Sequence, residues 1–376
     1  MAILQSTEQL DHRPTPPVTD PAAVGMDPER LRRAVELVRR RDAAAQFCVL
    51  RHGRLVAYEV INCAPDSLFW LFSASKPYTV ILVHQLVERG LLDLDDPVAR
   101  HWPEFGQHGK SMITIRQVLQ HRTGFATAGS ALRDVLACTD WDRAIRSIEQ
   151  TRPRRPAGTA PAYQFMIFGF ILGELVQRIT GLPFRTVLER ELITPLGLTD
   201  THLGIGPDEW PRHVPVVFRH TGGGFAASGI NKLSTRQAIM PSAGISTTAY
   251  EVINFYRMLL AGGRIHDQQL ISPAAIATAR TPSNHGEMDR FCRAPVPWSL
   301  GFQLGGPRGP GRVPPFGYRS SHNTFGHNGS NCCIAWADAD RDLALAYLSN
   351  LRSTHAVDMA HLAAVADQVF AACVDD

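Results

Sequence analysis

Residues 68–76 have the sequence LFWLFSASK, and a helical pattern follows over residues 78–88. If a helix begins near Ser73, one turn separates this serine from Lys76, and both side chains lie on the same face. A neutral amine in that position can accept the serine proton and leave a nucleophilic oxygen. The positive end of the helix dipole would favour negative charge there. The spacing therefore predicts a nucleophilic serine, although Ser-x-x-Lys also occurs by chance in many proteins.

The lysine of this stretch is unusual for the chain. Of 38 Lys and Arg residues, only Lys76, Lys110 and Lys232 are lysine. Arginine keeps its proton in proteins, whereas a desolvated lysine can lose it. A lysine three residues after a serine, in a chain that otherwise uses arginine, favours a chemical role for Lys76.

Composition limits the classes of function. The chain has 376 residues, is 44% hydrophobic and 19% charged, and carries a net charge of +3. These values are typical of a globular protein with a large core. The small net charge and the absence of a long basic run in the sequence argue against nucleic acid as a partner. No apolar run is long enough to span a bilayer. We therefore expect no membrane or nucleic-acid partner.

Cysteine usage and the N-terminal segment suggest a compartment. The seven cysteines are scattered and show no Cys-x-x-Cys spacing, and no His-Glu-x-x-His sequence occurs. We therefore expect neither a metal nor another cofactor. Residues 1–20 are polar and lack a basic segment followed by an apolar one, so no secretion signal is predicted. Together these features predict a cytoplasmic protein.

The periodicity of apolar residues predicts strands near both ends of the chain and helices between them. A helix capped by Asp27 is expected to begin at Pro28. Further helices are predicted at residues 115–121, 141–150, 168–179, 184–191 and 361–374. Strands are predicted at residues 47–50, 55–58, 298–304, 332–336 and 343–347. The fold class is therefore α/β (α+β), an antiparallel sheet flanked by helices with an all-helical second lobe.

The same pattern predicts how the chain is divided. Residues 1–24 are expected to form a flexible tail, residues 25–90 and 250–376 a sheet lobe, and residues 91–249 a mainly helical lobe. The active site is expected between the lobes. The Gly- and Pro-rich loop at residues 305–320 is expected to shape its mouth. His121 and Trp102 are expected to be core or interface residues of the helical lobe.

Four further stretches carry a family resemblance. They are ERGLLDLDDP at residues 88–97, ITIRQVLQHRTG at 113–124, PSAGISTT at 241–248 and GHNGS at 326–330. With the Ser-x-x-Lys sequence, they make the chain similar to the serine β-lactamase and penicillin-binding-protein superfamily. It most resembles the class C-like esterases and transacylases. The resemblance extends over residues 25–370 and implies a β-lactamase-like fold.

The resemblance also implies site residues. By motif position, Tyr163 would share or relay the proton between Ser73, Lys76 and the leaving group. A lysine cation beside this tyrosine would favour its phenolate form. The backbone N–H groups of Ser73 and Ser330 would form an oxyanion hole.

The strand motif that the family uses beside the substrate is His327-Asn328-Gly329 in this chain. Its glycine allows the substrate to approach the strand backbone. His327 would orient Tyr163 or bind a substrate oxygen, and Asn328 and Gly329 would contact the substrate. A surface histidine at the start of a strand is the alternative for His327.

One departure from the lactamase pattern concerns the substrate. Class C β-lactamases carry Tyr-x-Asn, and here the third residue is Phe165. Losing this amide weakens recognition of a lactam and suits an apolar ester. With Phe168, Phe170 and the 305–318 loop, Phe165 predicts a partly dry, apolar mouth, although some of these rings can simply pack the helical lobe.

These features predict a serine acyl-enzyme hydrolase that acts on small-molecule esters or activated acyl substrates. It would transfer the acyl group to water or to an amine or alcohol. The alternatives are a biosynthetic transacylase, a β-lactamase or D-amino-acid peptidase, and a non-catalytic ligand-binding relative. An α/β-hydrolase is disfavoured because no Gly-x-Ser-x-Gly sequence occurs.

Overall fold

The computed structural model describes residues 16–219, 223–284, 286–306 and 313–374. Its α-helices are α1 Pro28–Arg39, α2 Lys76–Glu88, α3 Val98–His101, α4 Ile115–Leu119, α5 Ala131–Ala137, α6 Trp141–Glu149, α7 Ile167–Thr180, α8 Phe184–Leu188, α9 Gly223–Ile230, α10 Leu233–Arg236, α11 Ala249–Leu260, α12 Pro273–Arg280 and α13 His355–Ala372. Short 3-10 turns lie at Pro21–Val24, Phe72–Ser75, Pro103–Gly109 and Trp210–Arg212, and a π turn at Glu189–Ile193.

The strands are β1 Ala45–Arg51, β2 Arg54–Ile61, β3 Phe69–Trp70, β4 His202–Leu203, β5 Val217–Phe218, β6 Ile245–Thr247, β7 Arg264–Ile265, β8 Gln268–Gln269, β9 Met288–Asp289, β10 Ala294–Pro295, β11 Gln303–Leu304, β12 Thr324–Gly329, β13 Cys333–Asp338, β14 Leu343–Ser349 and β15 Leu351–Arg352. One antiparallel sheet has the order β11-β12-β13-β14-β1-β2. A small sheet, β3-β6-β4, lies beside the site.

The large sheet is covered on both faces. Strands β1, β13 and β14 are buried along their whole length. Helices α1 and α13 pack together over one face, where Trp336 stacks on Phe370 with ring centroids 4.5 Å apart. Helix α11 contacts β1 and β14 on the other face. A strand that is buried on both sides has a nearly continuous apolar sequence, as in LALAYLS of β14.

Two apolar helices form the centre of the helical part. Residues 76–86 of α2 and residues 167–176 of α7 are buried all round, and the two helices contact each other. Helices that are apolar on every side occur in the core of a large protein. Gly169 lets α7 pack closely against the backbone of Ser242, because a Cβ at position 169 would lie 2.3 Å from the Ser242 nitrogen.

The predicted fold class is confirmed, and so are most predicted elements. The strand predicted at residues 298–304 is wrong over most of its length, because only Gln303–Leu304 is a strand. The Ser299 N–H donates to the Phe302 carbonyl, and the Phe302 N–H donates to Ser299 Oγ, which closes a tight turn. Alternating apolar residues thus serve a turn and not an extended strand.

The last helix is longer than its predicted range. It begins at His355, six residues before the predicted start at 361, and Thr354 caps it by accepting from the Val357 N–H.

Within the described parts of the chain, no single helix has the length and composition to cross a membrane. Helix α7 and the helical stretch Phe184–Ile193 reach that length only together, with a bend of 82° between them. The predicted division into lobes stays a prediction.

Candidate active site

Ser73 lies in the 3-10 turn Phe72–Ser75, immediately before α2. Side chains three residues apart eclipse each other in a 3-10 helix, which brings Ser73 and Lys76 together more directly than an α-helical turn does. Phe72 has a φ of 50°, an unfavourable conformation for a bulky residue. The turn is held to β6, because the Leu71 N–H donates to the Ile245 carbonyl at 2.8 Å. The strained backbone at Phe72 thus places Ser73 shortly after the end of strand β3.

Lys76 is fully buried, and among the described residues its amine hydrogen-bonds to uncharged oxygen atoms. Its Nζ lies 3.1 Å from Ser73 Oγ, 2.8 Å from the Phe165 carbonyl and 3.3 Å from the Ser242 carbonyl. Burial holds the pKa of this amine well below its ordinary value of 10.5. A buried lysine without a facing carboxylate favours its neutral form. The structure therefore favours a lysine that can act as a base.

The hydrogen bonds around Ser73 are consistent with that neutral form. Tyr163 donates its hydroxyl to Ser73 Oγ at 2.7 Å. A neutral amine has two N–H donors and one lone pair. The two donors match the carbonyls of Phe165 and Ser242, and the lone pair then accepts the hydroxyl proton of Ser73. One arrangement thus satisfies all three side chains before any substrate binds.

The expectation that a lysine cation favours the phenolate of Tyr163 is wrong. Burial raises the pKa of Tyr163 above its ordinary value, and only the hydrogen bond with Ser73 lowers it. Since Lys76 is itself biased toward the neutral amine, it provides no full positive charge to offset burial. Tyr163 is therefore a phenol, a proton donor toward Ser73.

His121 was expected in the core or interface of the helical lobe, and the structure places it against the site. Its ring centroid lies 5.0 Å from that of Tyr163, 4.8 Å from that of Phe168 and 4.6 Å from that of Trp298. Its Nδ1 accepts from the Gln164 N–H at 3.3 Å. His121 is thus a buried residue that supports the loop of Tyr163. Trp102 is fully buried among core residues, as expected.

Two residues near the reacting groups were missed by the sequence analysis. Ser242 accepts from Lys76 through its carbonyl, and its Oγ accepts from the Gly169 N–H at 2.7 Å and donates to the Met166 carbonyl at 2.9 Å. Asp289 accepts from the Tyr163 N–H. The PSAG sequence at residues 241–244 was a family signal for Ser242, whereas Asp289 lies in no motif.

Strand β12 passes directly against the turn that carries Ser73. A Cβ on Gly329 would lie 2.0 Å from the Leu71 carbonyl oxygen, so only glycine fits this approach. Ser330 follows with a φ of 53°, which turns the backbone away from the strand direction. This arrangement brings the end of β12 to the Ser73 turn. The oxyanion hole of Ser73 and Ser330 stays a prediction.

His327 is 3% exposed, and its Nδ1 lies 2.9 Å from the Asn328 carbonyl. A carbonyl only accepts, so Nδ1 carries the proton and Nε2 is an acceptor. Nε2 is buried and has no partner among the described residues. Burial lowers the pKa of His327 to about 3, so the ring is neutral. The ring lies 6.0 Å from Tyr163, centroid to centroid, and is not the surface residue of the alternative.

The side chain of Asn328 is used within its own turn. Its Nδ2 donates to Asn331 Oδ1 at 2.6 Å, and its Oδ1 accepts from the Asn331 N–H at 2.9 Å. These bonds occupy the amide that was predicted to contact substrate. Contact between Asn328 and a substrate stays a prediction.

The predicted aromatic mouth is smaller than expected. Phe165 is partly buried and stacks on Phe291 with centroids 5.6 Å apart, and Phe291 is 39% exposed. Phe168 and Phe170 are buried in the core of the helical part and do not form a mouth. Residues 307–312 of the predicted mouth loop lie outside the described residues.

In the described parts of the chain, no group of three or more His, Cys, Asp or Glu is arranged to hold a metal.

Comparisons with known proteins show what this chain is similar to. A sequence profile of the β-lactamase family matches residues 32–370. The esterase/β-lactamase LipL of Mycobacterium tuberculosis is 28% identical over 313 residues, 76% of this chain and 70% of that protein. Monacolin J acid methylbutanoyltransferase of Aspergillus terreus is 30% identical over 177 residues, 41% of this chain and 43% of that protein.

A solved structure extends the comparison to the whole fold. A penicillin-binding-protein homologue from Caulobacter crescentus superposes with a TM-score of 0.77 at 25% identity, covering 93% of this chain and 99% of that one. The profile match spans most of the chain, and the superposed structure covers the same region. This chain belongs to the β-lactamase family, within the serine β-lactamase and penicillin-binding-protein superfamily.

Proposed function

We propose that this protein is a serine esterase of small-molecule esters that works through an acyl-enzyme on Ser73. The observation that carries the proposal is the arrangement of Ser73, Lys76 and Tyr163. It gives a hydroxyl with a neutral amine at 3.1 Å and a phenol donor at 2.7 Å. A nucleophile needs a base within hydrogen-bond reach and an acid for the leaving group. Esterase and acyltransferase relatives support the same reaction class.

Acylation then follows from the hydrogen bonds already present. Ser73 Oγ attacks the ester carbonyl carbon while its proton moves to Lys76 Nζ. The oxyanion is stabilised by the N–H groups of Ser73 and Ser330. The bond between the carbonyl carbon and the alcohol oxygen breaks, and Tyr163 gives its proton to that oxygen. The proton on Lys76 restores Tyr163, and the alcohol leaves.

Deacylation is the same sequence in reverse with a new nucleophile. Water, an alcohol or an amine enters from the leaving-group side, and Tyr163 and Lys76 remove its proton as it attacks the acyl carbon. Ser73 recovers its proton as the acyl group leaves. The Phe165–Phe291 pair is an apolar surface beside this route, which favours an acceptor with its own binding energy over water. We therefore include acyl transfer to a small amine or alcohol in the proposed activity.

Two features favour esters over β-lactams. His327 offers a neutral acceptor where lactamases place a lysine, so the carboxylate of a penicillin or cephalosporin would face a lone pair. Phe165 has no side-chain amide to contact the lactam amide. A site without partners for a substrate's polar groups discriminates strongly against it. A lactamase or D-amino-acid peptidase is the second candidate, favoured only by the shared catalytic residues.

The test is a comparison of kcat/KM on short p-nitrophenyl esters, a penicillin, a cephalosporin and a D-alanyl dipeptide. We expect the best ester to exceed every other substrate. Ser73→Ala serves as the control, since it should lose turnover of all of them while keeping the circular dichroism of the fold. A higher kcat/KM on a β-lactam than on any simple ester would contradict the proposal.

A further inference from the structure

Asp289, at the end of β9, is a fully buried carboxylate next to the site. It accepts from the Tyr163 N–H at 3.0 and 3.1 Å, from the Phe291 N–H at 2.9 Å, from the Cys292 N–H at 2.8 Å and from Trp298 Nε1 at 3.0 Å. Every hydrogen bond that the described residues donate to it comes from a neutral N–H group. The carboxylate therefore joins the backbone of Tyr163 to Trp298 and to the turn that follows β9.

These contacts converge on Tyr163 from two directions. Asp289 holds the backbone nitrogen of the tyrosine, and it also holds the indole of Trp298. That indole stacks on the phenol ring with centroids 5.2 Å apart and an angle of 6° between the planes. The position of the ring is thus defined by its backbone at one end and by a flat aromatic surface along its side. One carboxylate anchors both.

The tyrosine needs such support because its backbone has no regular structure. Residues 161–164 belong to neither a helix nor a strand. Their N–H groups are held from outside the loop: that of Ala162 by the His121 carbonyl, that of Tyr163 by Asp289, and that of Gln164 by His121 Nδ1. A displacement of about 1 Å of a catalytic group can cost a factor of about 100 in rate.

We infer that Asp289 is a positioning residue that keeps the Tyr163 hydroxyl within reach of Ser73 and of the departing alcohol. This inference rests on the proposed function, in which Tyr163 protonates the leaving group. Its consequence is specific. Loss of Asp289 should matter most when the leaving alcohol is strongly basic and needs a proton, and least when it leaves easily as an anion.

A purely structural role predicts something different. Asp358 is a matched case, because it is also fully buried and accepts from the Ser353 N–H and from Arg41 Nη2 at 2.6 Å. It lies in α13, on the far face of the large sheet. Replacing either aspartate by asparagine puts an amide where N–H donors converge and weakens the fold. Only Asp289→Asn should also depend on the leaving group.

The experiment measures kcat/KM for esters of one short acid with p-nitrophenol, a fluorinated alcohol and an unactivated primary alcohol. The proteins are the wild type, Asp289→Asn, Tyr163→Phe and Asp358→Asn, each below its melting temperature. We expect Asp289→Asn to lose at least about tenfold more on the alkyl ester than on the nitrophenyl ester, and Tyr163→Phe to show the same trend more steeply. Asp358→Asn should give a ratio equal to that of the wild type.

The outcomes separate the two claims. The inference would be overturned if the loss in kcat/KM of Asp289→Asn were the same for every leaving alcohol while that of Tyr163→Phe increased toward the alkyl ester. The proposed function would then stay intact. A flat Tyr163→Phe series would remove the leaving-group role of Tyr163 and the inference with it. If Asp289→Asn does not fold, Trp298→Phe decides, since it deletes the indole bond to Asp289 and keeps an aromatic ring. A series equal to that of the wild type in Trp298→Phe would then refute the inference.

Discussion

Replacing Lys76 by arginine separates the positive charge of this side chain from its ability to accept a proton. Lys76 has 0% exposure, and its Nζ contacts three uncharged oxygens. A guanidinium keeps its proton and offers no lone pair to the hydroxyl of Ser73. We therefore expect Lys76→Arg to be about as damaging as Lys76→Met, although only the arginine variant keeps a charge.

The expected loss can be set from the role of the base. General base catalysis typically contributes about 10²- to 10⁴-fold, and a loss of about 10³-fold in kcat/KM corresponds to about 4 kcal/mol of transition-state stabilisation. The assay is hydrolysis of p-nitrophenyl butyrate, together with the rate at which a fluorophosphonate inactivates the enzyme. The second measurement reports the reactivity of Ser73 without turnover.

Lys110→Arg is the matched control. Lys110 also has 0% exposure, and its Nζ donates to the carbonyls of Gln107, Glu149 and Thr151. This variant should lose stability and keep the kcat/KM of the folded protein. If Lys76→Arg kept more than about a tenth of the activity, the role of a neutral lysine would be refuted.

The pH dependence gives an independent reading of the same group. Burial lowers the pKa of Lys76 well below 10.5, so its amine becomes neutral at a lower pH than the amine of an ordinary lysine does. The activity lost on acidification should therefore return as pH rises through this lowered pKa, and kcat/KM should show no further rise near pH 10.5. A main inflection near pH 10.5 would mean that Lys76 is an ordinary cation.

Three further predictions concern the substrate strand and the acceptor. Gly329→Ala should lose most activity, because its Cβ would lie 2.0 Å from the Leu71 carbonyl oxygen. Gly229→Ala is the control and should match the wild type, because no atom lies within 4 Å of its Cβ. Equal kcat values for the two variants would contradict this prediction. His327, with a pKa lowered to about 3 by burial, stays neutral as pH falls to 5, so the pH profiles of the wild type and His327→Gln should have the same shape between pH 5 and 8. An inflection near pH 6.5 that His327→Gln removes would contradict that expectation. At least one small amine or alcohol at millimolar concentration should yield acyl-transfer product by mass spectrometry, and exclusive formation of the free acid across a panel would reduce the activity to hydrolysis.

The parts of the site that could be predicted from sequence are the local ones. Ser73 and Lys76 are three residues apart, and a single helical turn fixes their relation wherever the turn lies in the fold. Tyr163 is 90 residues away, so its place beside Ser73 followed only from the family resemblance. Asp289 and Ser242 reach the site through tertiary packing of separate segments. Neither local periodicity nor spacing contains that information.

Protonation was the part that sequence reasoning judged wrongly. The expected phenolate of Tyr163 assumed that Lys76 is a cation. Its actual state depends on how completely both groups are buried, and burial is a property of the assembled core. The strand predicted at residues 298–304 failed for a related reason, since a side-chain hydrogen bond at Ser299 stabilises a turn that alternation does not reveal.

The central claim is that Ser73 becomes acylated, and intact-protein mass spectrometry with peptide mapping tests it most directly. The enzyme is mixed with a short activated ester and quenched in acid within the first turnovers, with Ser73→Ala treated in parallel. The account predicts a mass increase equal to the acyl group, located on the peptide that contains Ser73, and no such adduct in Ser73→Ala. An acyl group on another residue, or normal turnover by folded Ser73→Ala, would contradict it.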